Sequence, residues 1–264
     1  MQQFMKHSRA GVMAALLGLY AVAGCLSPSI PHQRRDDDAL LFQEAQKALD
    51  ARDYGDAIEK FNLFLEQFPK SPKYSWALQR LGESFEGLLA VEWQRRIERG
   101  EPRDLVTRDF LQRYGKYNVW VERDGALWYD KSHYRIIVEK FPDSPIADEA
   151  QYRMITLSDE AAQNPKALAG DVAQLEAVLE KYPTTSLRSE ILYHIARRCR
   201  ILYEIYQFSP YPQVRNASTA EQYRTKAIYA YKLCLKSPEH SVFAQKAWEE
   251  LTALEAGKRS SLFE

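Results

Sequence analysis

Cysteine and histidine are the side chains here that could most readily hold a metal, attack a carbonyl or move a proton near neutral pH. Their spacing favours none of these. The three cysteines are Cys25, Cys199 and Cys234, with no C-x-x-C pair of the kind that holds zinc or runs thiol–disulfide exchange. The five histidines are His7, His32, His133, His194 and His240, and none lies four residues from another, so no helix turns two of them towards one metal. A G-x-S-x-G elbow, a phosphate-binding P-loop and a G-x-G-x-x-G turn are all missing from the sequence. The carboxylates fit solvated helix faces, and no pair stands in an apolar setting that would tune it for acid–base work. Asp36, Asp37 and Asp38 read as the cap and first-turn acids of a helix, not as a metal cluster. The expectation is therefore a protein that is not an enzyme, with no metal and no cofactor. Cys199 and Cys234 fall on neighbouring expected helices. A disulfide is sterically open to them, but the expectation is two buried thiols.

One stretch has residue types suited to recognition. Between positions 88 and 125, Trp93, Tyr114, Tyr117 and Trp120 alternate with Arg95, Arg96, Arg99, Arg103, Arg108 and Arg113. Tryptophan, tyrosine and arginine dominate protein-binding hot spots, so Trp93, Arg95, Arg96, Arg99, Tyr117 and Trp120 are candidates for contact with a protein partner. The competing reading puts the arginines on the outside of a helix and the aromatics in the gaps between irregular segments. Nucleic acid is not expected as a partner. Lys plus Arg and Asp plus Glu number 36 each, and nucleic-acid binding needs a concentrated basic surface.

The elements that would carry these residues are helical. Apolar residues make up 45% of the chain, enough for a sizeable core, and the prolines sit where helices would end. Residues 54–72 set the pattern. Ala57, Ile58, Phe61, Phe64, Leu65 and Phe68 recur at helical spacing, Pro69 stops the helix, and Ser71-Pro72 restarts one. Lys140-Phe141-Pro142-Asp143-Ser144-Pro145 repeats this closely. Lys181 to Ser186 repeats it more loosely, with Ser186 as the restart, and Lys236 to Ser241 is a weaker copy. Phe61, Tyr134 and Leu175 each lie eight residues before a proline. Helices are expected over 39–51, 54–68, 71–87, 146–162, 172–182, 187–208, 220–235 and 242–254, with the repeat resuming at Ala126. Residues 88–125 interrupt the rhythm as a degenerate repeat or an insertion. Val119-Trp120-Val121 is the one β-like patch and is too short to matter alone. The fold class expected is all-α, an α-solenoid of about ten antiparallel helices.

The N-terminus sets the compartment. Residues 1–24 have a basic start (Lys6, Arg9) and an uncharged run of about fifteen residues, shorter than a membrane span. Val22-Ala23-Gly24-Cys25 resembles the lipobox of bacterial lipoproteins, which implies cleavage before Cys25 and lipidation of its thiol. Leu26 follows in place of an inner-membrane retention aspartate, which by the same resemblance implies the outer membrane with the body in the periplasm. Residues 25–38 are expected as a lipidated tether, 39–257 as the repeat domain and 258–264 as a polar tail.

The register Leu41, Ala45, Ala57, Phe61, Pro69 resembles the tetratricopeptide repeat. With the lipobox and the phrase AQKALDARDYGDAIEKFNLFLEQFPKSPKYSWALQRLGESF, the chain resembles the BamD family of β-barrel assembly lipoproteins. The close match covers about 39–87, with looser support over 126–160 and 170–207. It implies a repeat scaffold whose partners are β-barrel assembly components. Periplasmic repeat adaptors of Tol–Pal and peptidoglycan coordination, pilus assembly or export share the same features and are the alternative. Beyond Cys25 the resemblance carries over no functional residue, because repeat positions encode packing.

Overall fold

Three of the four proline stops, at Pro69, Pro142 and Pro183, close a helix by the same hydrogen bonds; the weaker copy at Pro238 lies outside the described residues. The computed structural model describes residues 33–117, 120–123, 126–236 and 242–260; Cys25 and the segment 1–24 lie outside them. After α2 (Tyr54–Gln67), the N–H groups of Phe68, Ser71 and Tyr74 donate to the carbonyls of Phe64, Phe68 and Ser71 at 2.9, 3.0 and 3.0 Å. After α6 (Ser132–Lys140), Phe141, Ser144 and Ala147 donate to Ile137, Phe141 and Ser144 at 2.8, 2.9 and 3.0 Å. After α8 (Pro165–Lys181), Tyr182, Thr185 and Arg188 donate to Val178, Tyr182 and Thr185. The third turn therefore hinges on Thr185, one residue before the expected Ser186. Phe61, Tyr134 and Leu175 are each fully buried at 0% exposure, as their common position before the proline requires.

The hydroxyl in each turn also reaches back to an earlier helix. Ser71 Oγ donates to Asp38 Oδ2 in α1 (Gln33–Asp50) at 2.6 Å. Ser144 Oγ meets Ser75 Oγ in α3 (Tyr74–Gly87) at 3.1 Å. Thr185 Oγ1 donates to Asp148 Oδ2 in α7 (Ala147–Met154) at 2.7 Å. Asp38 thus serves this link, and α1 starts at Gln33, inside the stretch expected as a tether. With α1 starting at Gln33, Asp37 and Asp38 lie beyond its first turn and not at the cap expected for them.

The fold is all-α apart from one hairpin, with eleven α-helices among the described residues. From α6 onward each helix packs on the next in chain order; α1 packs on α2, α2 on α3, and α3 on α6 across the intervening segment. The buried apolar residues form two clusters. One gathers residues between Ala45 and Ala150. The other lies between Leu168 and Leu254, under α8, α9 (Arg188–Phe208), α10 (Ala217–Leu235) and α11 (Val242–Glu255). Cys199 and Cys234 are free thiols in the second cluster. The segment after α11 is tied down: Arg200 Nη2 donates to the Lys258 carbonyl at 3.0 Å, and the Ser260 N–H donates to Glu204 at 2.8 Å.

Residues 88–125 depart most from expectation. Gly87 does not stop the helix, because its φ and ψ of −65° and −41° are α-helical. The chain continues through a π-helical stretch, Leu88–Trp93, into α4 (Gln94–Glu98). Gly100, at φ +84°, then breaks it as expected, and α5 (Arg103–Tyr114) follows Pro102. The β-like patch is a real strand: β1 (Trp120–Arg123) pairs antiparallel with β2 (Ala126–Tyr129), Trp120 opposite Tyr129. Residues 126–129 therefore form a strand where a helix was expected. Four-residue strands carry little signal alone and gain stability from the pairing and from the core beneath them. Finally, α7 ends at Met154, short of the expected 162. Ile155 is extended, with ψ 127°, and Asp171 holds the following segment by accepting the Ser158 N–H and hydroxyl at 2.8 and 3.0 Å.

Candidate partner-binding groove

The structure separates the six residues picked out for partner binding. Trp120 turns inward and packs edge-on against Phe85, with ring centroids 5.3 Å apart and planes at 85°. Tyr117 meets the same ring at 6.2 Å. Arg96 ties α4 to α5, pairing with Glu101 at 2.7 Å and with Asp109, which holds its guanidinium above its ordinary pKa. Arg95 and Arg99 are exposed. Trp93 is only 8% exposed, with the Arg103 guanidinium over its ring at 5.8 Å. For Trp120, Tyr117 and Arg96, packing and internal pairing account for the residue. They do not form one outward binding face with the others.

Trp93 instead lines a groove that the helical reading of residues 126–129 hid. Leu127 and Tyr129 point into the core while Trp128 between them is 43% exposed, the in–out–in alternation of a half-buried strand. The π-helical stretch faces this strand. Between them lies a cleft of about 370 Å³ lined by Glu86, Leu89, Ala90, Trp93, Gln94, Leu127, Trp128, Tyr129, Lys131 and Thr156. A neighbouring cleft of about 410 Å³ adds Asp130, Arg135 and Met154 and shares Trp128, Tyr129, Lys131 and Thr156 with the first. The two clefts share these four residues as walls. Inserted π turns often mark functional positions in helices.

The apolar walls are set in a polar frame. Glu86 accepts from Tyr134 Oη at 3.1 Å and from Arg153 Nη1 at 3.2 Å. Arg153 also pairs with Glu149 at 2.9 Å and Glu83 at 3.4 Å. Burial raises the Glu86 carboxyl pKa, opposed by Arg153 and by the Tyr134 hydrogen bond. Lys131 sits at φ +59°, a left-handed conformation that costs a non-glycine residue on the order of 1 kcal/mol. Its Nζ donates to the Ile155 carbonyl at 3.0 Å, and burial lowers its pKa. Behind β2, His133 stacks on Phe85 at 5.6 Å, with Nδ1 3.0 Å from Tyr129 Oη. Burial pushes the His133 pKa down to about 4, so this imidazole is a neutral packing group.

Chemically the groove can seat a bulky apolar side chain between Leu89, Ala90, Trp93 and Trp128, and offer charge at its far end. The Trp93 indole N–H is buried without an acceptor. Among the described residues there is no cluster of His, Cys, Asp and Glu able to hold a metal, and no helix long and apolar enough to cross a membrane. No family model matches the chain, and neither does any curated protein sequence.

Proposed function

We propose that this protein is a lipid-anchored periplasmic scaffold of tetratricopeptide-like repeats that serves outer-membrane protein assembly by binding other proteins. The observation that carries the repeat reading is the proline turn used three times. Each copy has the same three backbone bonds, and each sends a hydroxyl back to an earlier helix. Packing of each helix mainly on its neighbours in chain order supports a solenoid. The lipobox-like Val22-Ala23-Gly24-Cys25 supports anchoring at Cys25, outer-membrane placement and a periplasmic body. Binding, not catalysis, is the role that an apolar groove framed by satisfied ion pairs favours.

A second reading, a repeat adaptor in Tol–Pal or peptidoglycan coordination, pilus assembly or export, is favoured by the long α3–α4 rod and the hairpin, which break the repeat. Purification of the lipidated protein from membranes separates the two. Co-purification of a β-barrel protein bearing periplasmic transport-associated repeats is the expected result. Recovery of Tol–Pal or pilus components in its place overturns the first reading, and a Cys25→Ser variant that stays membrane-bound overturns the anchor.

A further inference from the structure

We infer that the chain is hinged at Ile155–Leu157, where two separately cored halves meet along a polar seam that parts at its proline-turn end. This goes beyond the binding reading and holds whichever partner is bound.

The two halves share little apolar burial. One buried cluster ends at Ala150 and the other begins at Leu168. Among the described residues, no apolar side chain after Met154 packs on the first cluster. Of α7, Tyr152 alone packs on the second, and its Oη donates to Glu190 Oε1 at 2.9 Å. Beside it the contact is polar. Thr185 Oγ1 donates to Asp148 Oδ2 at 2.7 Å, and Lys181 Nζ to Gln151 Oε1 at 3.4 Å. A cleft of about 470 Å³ lies between the Pro142 and Pro183 turns, lined by Asp143, Ser144, Lys181 and Thr184 among others. By contrast, α8 packs closely on α9 and only sparsely on α7. Water can replace the hydrogen bonds of such a seam at small net cost, whereas apolar burial has no substitute in water. Relative motion is the default for two bodies joined by a small polar interface.

The position of the pivot follows from what each half holds. Met154 packs on the first cluster. In the second half, Asp171 holds the Ser158 N–H and hydroxyl at 2.8 and 3.0 Å, and Glu160 pairs with Arg197 and Arg198 at 2.6 and 3.4 Å. Between these fixed points lie Ile155, Thr156 and Leu157, with neither helix nor strand. Ile155 is held from both sides, its carbonyl by Lys131 at 3.0 Å and its side chain by the second cluster. It is the point about which the halves turn, and the next two residues absorb the rotation in their backbone angles. The pivot lies at the end of α7 and the Pro142 turn at its start, so bending parts the Pro142 and Pro183 turns. A rotation of about 15° over the roughly 12 Å of α7 separates them by about 3 Å. Thr156 also lines both clefts beside β2, so the same bend moves one of their walls.

Double electron–electron resonance between paired spin labels on the full chain tests this. The labels go on Cys25→Ser protein, in which Cys199 and Cys234 are buried, with the Cys25→Ser chain alone as the blank. Glu139→Cys with Glu180→Cys spans the seam; Glu66→Cys with Glu139→Cys lies inside the first half, and Glu180→Cys with Lys236→Cys inside the second, all at exposed positions. The spanning pair should give a distance distribution wider than either internal pair by about 3 Å. Asp148→Ala, which cuts the seam, should widen the spanning distribution further and leave the internal ones unchanged. Asp148→Asn, which still accepts from Thr185, should widen it less. A spanning distribution as narrow as the internal ones, no response to Asp148→Ala, or equal widening of all three pairs overturns the inference. None of these readouts involves a partner, so the hinge and the scaffold reading stand or fall separately.

Discussion

Thr185 and Ser186 make opposite predictions about where the third turn is capped, and a pair of substitutions decides between them. By sequence, Ser186 is the restart residue. In the structure Ser186 is exposed while Thr185 is 7% exposed. Thr185 Oγ1 accepts the Leu187 N–H at 3.2 Å and donates to Asp148 Oδ2 at 2.7 Å. Thr185→Val keeps the shape of the side chain and removes both bonds. A hydrogen bond to a charged group is worth about 1.5–3 kcal/mol. Asp148 is only partly buried and regains water, which points to the low end of that range. Loss of the acceptor for the Leu187 N–H adds about 0.5–1 kcal/mol. The expected loss is about 2 kcal/mol, read as a lower urea midpoint with an unchanged slope. Ser186→Ala should stay within about 0.5 kcal/mol of the parent. Asp148→Ala combined with Thr185→Val should show a coupling of about 1 kcal/mol, because the two residues meet directly. A neutral Thr185→Val, a costly Ser186→Ala or a coupling near zero would refute the idea that turn hydroxyls link each helix pair to the one before.

Three further outcomes follow from packing and burial. A Cβ on Gly87 would lie 2.2 Å from Tyr54 Cε1, so Gly87→Ala should lose about 1–2 kcal/mol by chemical denaturation although alanine is the better helix former by about 1 kcal/mol; in a Tyr54→Ala background the same change should stabilise. His133 is neutral in the folded protein, with its pKa lowered to about 4 from 6.5, so the unfolded chain binds the extra proton between those values. His133 should contribute a fall in stability of up to about 1.4 kcal/mol per pH unit on acidification from 6.5 towards 4, alongside a like contribution from His194, also lowered to about 4, and urea midpoints of His133→Gln across that window should lack the first part only. Cys199 and Cys234 are buried, with pKa values pushed up to about 12 and about 11; thiol titration of the Cys25→Ser chain without reductant should report no fast-reacting thiol when folded and two when denatured.

The parts of the fold legible in the sequence are those where a local rule and the packing agree. Pro69, Pro142 and Pro183 cannot continue a helix, and Phe61, Tyr134 and Leu175 before them must be buried; each did what its chemistry dictates. Thr185 was missed because Ser186 satisfies the same local rule, and only the position of Asp148 chooses between them. Gly87 reads as a stop, yet its missing side chain serves to admit the Tyr54 ring, a tertiary reason that no local propensity contains. The end of α7 is likewise set from elsewhere, by Asp171 and its buried partner Arg198 at 2.8 Å. Of the six residues nominated for binding, only Trp93 lines the groove. The nomination followed residue type, and residue type cannot say whether an aromatic faces Phe85 or solvent. The period-two signal in Leu127-Trp128-Tyr129 was present, but three residues of alternation are easily absorbed into a helical reading that resumes at Ala126.

What breaks the repeat also builds the groove. Had α3 stopped at Gly87 and a regular helix followed, Leu89, Ala90 and Trp93 would have no fixed place opposite residues 127–129. Because the helix runs on through a π turn, whose wider winding shifts the face presented by each later residue, Trp93 reaches the inner side with Arg103 behind it. Because the chain then returns as a strand, Trp128 stands out from a flat wall while its neighbours anchor it in the core. The third wall comes from the early end of α7, which frees the Ile155 carbonyl from helical bonding to hold Lys131. Three departures from helical regularity, each stabilised by contacts away from the groove, converge on one concavity. Irregular backbone held by tertiary contacts where a plain helix would be simpler fits the binding role proposed above.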